Sequence, residues 1–289
     1  MRLITVNTDS GTRAAVQAGD FFTLVRTPDG ATVPFEDVGA LLRAGEVGLS
    51  AARLAHENRE SERAALNIDD LLRPILNPGA VICVGLNYRT HIREMGREMP
   101  SSPTLFSKLA RSLTDPYADV PIPTVSEKVD YEGELAVVVG KRGRSIAREE
   151  AWEHVAGVTV LNDVSARDFQ HRTMQWFAGK SFEACTPVGP ALVTLDELGD
   201  IGALELRVTV NGEQRQQSLL GDMVFDVPSL IADISQIVSL EPGDLIATGS
   251  PGGVGVASET FLGDGDVVEV TIEGIGSLRN TFRRTGRHD

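Results

Sequence analysis

Apolar residues in this chain gather in short runs bounded by glycine, proline and aspartate rather than in long amphipathic stripes. Residues 78–85 form a buried-strand pattern that ends in Gly85. Residues 103–108, 134–139, 158–163, 188–194, 204–210, 244–248 and 266–272 predict further strands. Many lack polar alternation, as strands covered on both faces do. Helical signals are fewer: residues 147–155, 165–177 and 228–238, with a short helix within Asn87–Met95. Asn211-Gly212 between apolar runs predicts a hairpin turn. Strands dominate and do not alternate regularly with helices, which argues against a doubly wound parallel sheet. The pattern predicts an α+β, mostly β fold: a mixed, rolled β-structure with a few covering helices.

Residues 1–70 have a different texture. Short strands over Arg2–Val6, Arg13–Gln17 and Phe21–Arg26 are separated by Asp-Ser-Gly and Ala-Gly-Asp turns. Phe35–Ala55 reads as helical, with a break near Gly45 and Gly48, and Glu57–Asp70 is highly charged. No catalytic residue types converge in this stretch. It is expected to be a small β-rich accessory domain over 1–70, ahead of a catalytic domain over 71–289. The Arg-rich end, Arg283–Asp289, reads as a frayed tail.

Composition narrows the function classes. A length of 289 residues accommodates one large domain with a small appendage. A formal net charge of −14 argues against general affinity for nucleic acid or anionic membranes. Cations inside one cleft can still reverse the local field. Cys83 and Cys185 lie in apolar surroundings far apart in sequence, and read as buried free thiols of a reducing compartment. No apolar run reaches the ~20 residues of a membrane helix, and the N-terminus lacks a signal core. Cytoplasmic residence is the expectation.

The candidate chemistry starts with Glu132 and Glu134 in Asp130-Tyr-Glu-Gly-Glu-Leu-Ala136. Side chains two apart on a strand share a face. Two neighbouring carboxylates tolerate burial only if protonated or bridged by a cation. Asp163 ends another strand-like run; Ser165 with Asp168 resembles a capping box, which leaves Asp163 free. Three converging carboxylates suit Mg²⁺ or Mn²⁺, with Ca²⁺ as an alternative. His91 and Glu94, three apart on a short helix, form either a surface ion pair or a general-base dyad. Lysine is scarce, occurring only at Lys108, Lys128, Lys141 and Lys180. Lys108 and Lys180 stand in apolar contexts, where a lysine either snorkels or binds a substrate carboxylate or developing oxyanion. The glycine-rich Ile246–Gly255 segment is either a plain connection or an anion nest.

Taken in order, several segments resemble the fumarylacetoacetate hydrolase family. They are Gly85–Met95, Asp130–Ala136, Asn162–Gln170, Gly179–Phe182, Leu245–Gly255 and Gly274–Asn280. The resemblance implies a mixed β-sandwich roll, a homodimer, and Mg²⁺ or Mn²⁺ held by Glu132, Glu134 and Asp163. It implies His91 and Glu94 as the water-activating dyad and Lys180 as the stabiliser of the intermediate. Arg167, Gln170 and Thr248 match substrate-contact positions. Lys108 is a further contact candidate, although Ser107–Arg111 departs from the proline-containing sequence many relatives carry.

The expected activity is metal-dependent C–C bond hydrolysis of acylpyruvates or related diketo acids, small anionic substrates of aromatic-compound catabolism. Decarboxylation of an oxaloacetate-like acid, or isomerisation, is the alternative on the same scaffold. A non-enzymatic binding protein with a structural Ca²⁺ site is a third reading. It leaves His91, Lys180 and the glycine-rich loop without a task.

Overall fold

The Gly133–Val139 strand is buried along its whole length because both of its faces are covered. In a computed structural model of the chain, which describes residues 1–27 and 35–284, this strand lies near the centre of the largest of three sheets. It pairs antiparallel with Val155–Asn162 on one side and Leu245–Ala247 on the other. Beyond Val155–Asn162 the sheet continues through Thr186–Val193, Arg2–Thr8 and Gly11–Ala18 to Phe21–Leu24. Beyond Leu245–Ala247 it continues through Val81–Gly85, a parallel neighbour, to Thr104–Ser107.

The five-stranded sheet runs Glu213–Leu219, Glu205–Val210, Val267–Ile272, Gly276–Arg284 and Val120–Ile122. It packs on one face of the central strand. Leu135, Val137 and Val139 share a core with Val208 and Val270, and each such buried side chain contributes roughly 1.5–3 kcal/mol. A Cβ on Gly133 would stand 2.4 Å from Val208 and 2.9 Å from Val270, so glycine lets the sheets close here. Ala136 and Val138 point the other way, into a second cluster with Leu41, Leu42 and Ala51 of the helices Val38–Arg43 and Glu46–Glu57. Glu134 shares that second face.

The mixed β-sandwich expectation holds, and the expected strands lie within a few residues of their observed bounds. Asn211 and Gly212, with φ of 53° and 80°, form the expected hairpin turn. The expected 165–177 helix is broken. Ser165–Ala166 is extended and pairs with Val129–Asp130, and only Arg167–Gln170 and Phe177–Lys180 are helical. The expected capping box therefore does not form: the Ser165 hydroxyl donates to the Asp163 carbonyl, and Asp168 instead receives the Ser126 hydroxyl. Residues 148–154 form a 3₁₀ rather than an α-helix. Arg283 and Arg284 belong to a strand rather than a tail, and residues 285–289 lie outside the described residues. Arg2–Thr8 hydrogen-bonds to Thr186–Val193, so the main sheet crosses the expected boundary near residue 70. No helix among the described residues is long and apolar enough to cross a membrane.

The helical hairpin breaks at Gly45, φ 58°, while Gly48 stays inside the second helix. Gly48 is needed for another reason: a Cβ there would lie 2.1 Å from the Leu41 carbonyl oxygen. Alanine gains about 1 kcal/mol of helix propensity, but it must push two backbones apart. Gly48→Ala is expected to destabilise the protein by about 1–3 kcal/mol, read as a lower thermal midpoint. An unchanged or raised midpoint would show that this close approach is not needed.

Candidate active site

Strand register brings the acids together. Gly133 faces Asn162, so Glu132 and Asp163 form the next opposed pair, and the Asp163 N–H donates to the Glu132 carbonyl at 2.8 Å. Period-two alternation puts Glu134 on the same face as Glu132. One carboxylate oxygen from each of Glu132, Glu134 and Asp163 lies within 4.8 Å of the others. Glu134 and Asp163 are fully buried, and Glu132 is partly open.

Three cations surround these acids. Lys180 Nζ donates to Glu132 at 2.8 Å and to Asp163 at 2.7 Å. Lys108 Nζ donates to the other Asp163 oxygen at 2.5 Å and to the Val164 carbonyl at 3.2 Å. Arg167 pairs with Glu132 at 2.6 Å and with Asp130 at 2.8 Å, and donates to Gln170 at 2.9 Å. Burial opposes ionisation of Glu132, but Lys180 and Arg167 more than reverse it and hold the carboxyl at about 2. Burial also works against the Lys180 charge, yet Asp163 and Glu132 outweigh it and keep the ammonium protonated.

Glu134 is the exception. Its carboxylate accepts one hydrogen bond, from the Gly249 N–H at 2.8 Å, and has no ion pair among the described residues. Burial first, then Asp163 and Glu132, push its carboxyl well above the usual carboxylate range. A buried hard-oxygen triad in which one acid lacks a positive partner fits a divalent hard cation. Glu132, Glu134 and Asp163 would hold it.

The glycine-rich loop supplies N–H donors as expected of a nest, but their acceptors are the chain's own carboxylates. Gly249 serves Glu134, Gly253 reaches Glu94 at 3.3 Å, and Gly255 and Val256 donate to Asp130 at 2.7 and 2.9 Å. Asp130 had no role assigned from sequence, although it opens the same acidic segment. Fully buried, it orients Arg167 against the loop. Gln216 is a second unassigned residue. It accepts from the Gly133 N–H at 3.0 Å and donates to Ser250 and Pro251 at 2.9 and 2.7 Å, tying the acidic strand to the loop. Its strand is polar and edge-like, so no hydrophobic pattern marked it.

A cavity of about 170 Å³ opens beside Glu132, the partly open member of the triad, lined by His91, Glu132, Arg167, Gln170, Trp176 and Lys180 among others. His91 Nδ1 lies 3.3 Å from Glu94 Oε2, so the pairing that the helix spacing allows is formed, with His91 at the cavity wall. Gly85 makes room there: a Cβ would stand 2.3 Å from the Trp176 ring. Two expected contacts are placed elsewhere. Lys108 is buried behind Asp163 and does not line the cavity. The Thr248 hydroxyl donates to the Leu135 carbonyl at 3.0 Å, and Ser250 lines the cavity from this loop instead. A larger cavity of about 420 Å³ beside Trp152, Ile201 and Val227 contains none of these residues.

Known proteins resemble this chain in sequence and fold. Residues 80–283 match the family model described as fumarylacetoacetate (FAA) hydrolase C-terminal. The chain is 44% identical over 245 residues to the mitochondrial oxaloacetate tautomerase FAHD2A of Homo sapiens, covering 83% of this chain and 77% of that protein. The fumarylacetoacetate hydrolase structure from Exiguobacterium antarcticum superposes with a TM-score of 0.84 at 36% identity, over 99% of this chain and 100% of that one. Maleylpyruvate hydrolase from Sphingobium sp. SYK-6, solved with manganese(II) ion and pyruvate, gives 0.80 at 29% identity, with coverage of 99% and 100%. With its catalytic segments, its sandwich and its acidic triad all in place, the chain belongs to the fumarylacetoacetate hydrolase family of enzymes.

Proposed function

We propose that this chain is a Mg²⁺- or Mn²⁺-dependent enzyme that interconverts the keto and enol forms of a small 2-oxo acid of the oxaloacetate class. The observation that carries this reading is one cavity lined jointly by His91, Lys180 and Glu132. The tautomerase names of relatives such as the human one support it. When bound to the three carboxylates, the ion supplies Lewis-acid polarisation of the 2-oxo acid.

The protein's own groups do the rest. Keto-to-enol conversion moves one proton from C3 to the C2 oxygen. Glu94 accepts a hydrogen bond from the Nδ1–H of His91, which leaves Nε2 as the base that takes the C3 proton and then returns it to the C2 oxygen. The Lys180 ammonium, kept charged by Glu132 and Asp163, stabilises negative charge developing on the C2 oxygen. Arg167, held by Asp130, and Gln170 bind the substrate carboxylate. Trp176 and the His91 helix restrict water at the cavity wall.

The second reading is hydrolysis of an acylpyruvate, favoured by the His91–Glu94 pair, which can equally deprotonate a water. The assays separate them. Tautomerisation changes the enol absorbance of oxaloacetate while its total amount stays constant. Hydrolysis removes the enol absorbance of an acylpyruvate and yields two stoichiometric acids. Release of CO₂ as the sole enzymatic change in oxaloacetate would overturn both in favour of a decarboxylase. His91→Ala is expected to lower turnover about 10²- to 10⁴-fold with the thermal midpoint retained. Unchanged turnover would remove His91 as the proton carrier.

A further inference from the structure

At the mouth of the cavity stand two basic side chains that the reaction above leaves without a task, Arg97 and His171. Neither side chain has a hydrogen bond or ion pair among the described residues. Their backbones are fixed by the helices that carry the chemistry. The helix Arg89–Glu94 ends at Gly96, φ 62°, with the Gly96 N–H bonded to the Arg93 carbonyl and the Arg97 N–H to the Ile92 carbonyl, both at 3.0 Å. This pairing reverses the chain in a Schellman turn and sends Arg97 back to the cavity that His91 lines. His171 caps Arg167–Gln170, its N–H bonded to the Arg167 carbonyl at 3.1 Å.

The two groups are close enough to oppose each other. Burial, then Arg167, Arg97 and Lys128, disfavour the charged form of His171. Arg167, which lines the same cavity, has its Nη2 buried without a hydrogen-bond partner. Within one small cavity, the Arg97 guanidinium without countercharge among the described residues, a neutral imidazole and an unpartnered Arg167 Nη2 together favour an anion. Lys180 is buried while Arg97 and His171 are exposed, so Arg97 stands at the outer end of the cavity, open to an anion of its own.

We propose that Arg97, assisted by His171, binds the distal carboxylate of a dicarboxylic substrate and so makes the enzyme selective for 2-oxo diacids over monoacids. This deepens the 2-oxo acid reading and rests on it. A guanidinium suits the task because its planar fork matches a carboxylate.

The test uses two unreactive acids that differ only at the distal group, malate and 2-hydroxybutyrate, titrated calorimetrically into the full chain loaded with Mg²⁺. The wild-type protein is expected to bind malate more tightly. In Arg97→Met the ratio of the two affinities is expected to shrink about 10- to 100-fold, the range for losing a charge-assisted contact. Arg97→Lys should recover part of it, and His171→Gln should lose less than Arg97→Met. Equal binding of both acids by wild type, or an unchanged ratio in Arg97→Met, overturns the proposal. The readout needs no turnover. A malate preference that depends on Arg97, in a protein inactive on oxaloacetate, would defeat the tautomerase reading and leave the dicarboxylate site standing.

Discussion

Replacing Asp163 by asparagine is expected to destabilise the metal-free protein by about 3–5 kcal/mol, the cost of removing one partner from a buried ion pair. Asp163 is fully buried and carries two ammonium groups, Lys108 on one oxygen and Lys180 on the other. Lys180 keeps Glu132 as a second anion. Lys108 keeps only the Val164 carbonyl, so its charge loses its one countercharge among the described residues. An asparagine amide directs either oxygen or N–H₂ at these lysines and can satisfy at most one of them. Urea unfolding in the presence of a chelator reads the loss. Adding Lys108→Met removes the stranded charge while keeping apolar volume, and is expected to restore part of the stability. A loss below about 1 kcal/mol, the scale of an exposed ion pair, would show that water reaches this cluster and that its charges are not desolvated. The same substitution removes one anionic metal ligand, so Mn²⁺ should no longer raise the thermal midpoint.

The dependence on Asp163 also shows which parts of the site the chain announces. Glu132 and Glu134 were legible because a two-residue spacing is itself a statement about a strand face. Their meeting with Asp163 was not, since it depends on Gly133 pairing with Asn162, and antiparallel register is written in no local pattern. The residue types suggested that link, and the family resemblance strengthened it. The 165–177 stretch misled because Ser165 and Asp168 have capping chemistry, while the pairing of Ser165 with Asp130 holds the chain extended. Lys108 was legible as unusual, but an apolar context does not say whether an ammonium reaches forward to substrate or back to a buried acid. The polar strand Glu213–Leu219 hid for a similar reason. Most of its side chains face water, so the one buried position, Gln216, gave no periodic signal. Residues 1–70 looked separable by texture, yet hydrogen bonds between Arg2–Thr8 and Thr186–Val193 carry the sheet across the change in composition.

Glu134→Gln is expected to separate folding from function. In the metal-free protein, burial and the neighbouring Asp163 and Glu132 favour the protonated Glu134 carboxyl. The native state therefore binds more protons at this position than the unfolded chain does. Stability from this group is complete below the unfolded value of about 4.3 and declines as pH rises through the native one. Glu132 has the opposite sign: held at about 2, it stabilises the fold above the ordinary carboxylate range and is lost only in stronger acid. The two windows do not overlap above pH 5. Glutamine cannot ionise, and its carbonyl can still accept from the Gly249 N–H that Glu134 uses. Metal-free Glu134→Gln should thus match wild type near pH 4 and exceed it at pH 8, a difference in which all other titrating groups cancel. Metal reverses the ranking. An ion at 100 times its Kd stabilises wild type by about 2.7 kcal/mol, more readily at higher pH because it displaces a proton from Glu134. The variant keeps only two of the three carboxylates, so this stabilisation should vanish. Turnover should fall about 10³-fold, equivalent to the several kcal/mol a Lewis acid contributes to the barrier. Denaturant melts at pH 4, 6 and 8, with chelator and with Mn²⁺, test the stability part of this, and steady-state turnover with Mn²⁺ tests the rest. A variant that retains its Mn²⁺ shift, or a metal-free wild type that gains stability on Glu134→Gln equally at all three pH values, would mean that Glu134 neither titrates in this window nor holds the ion.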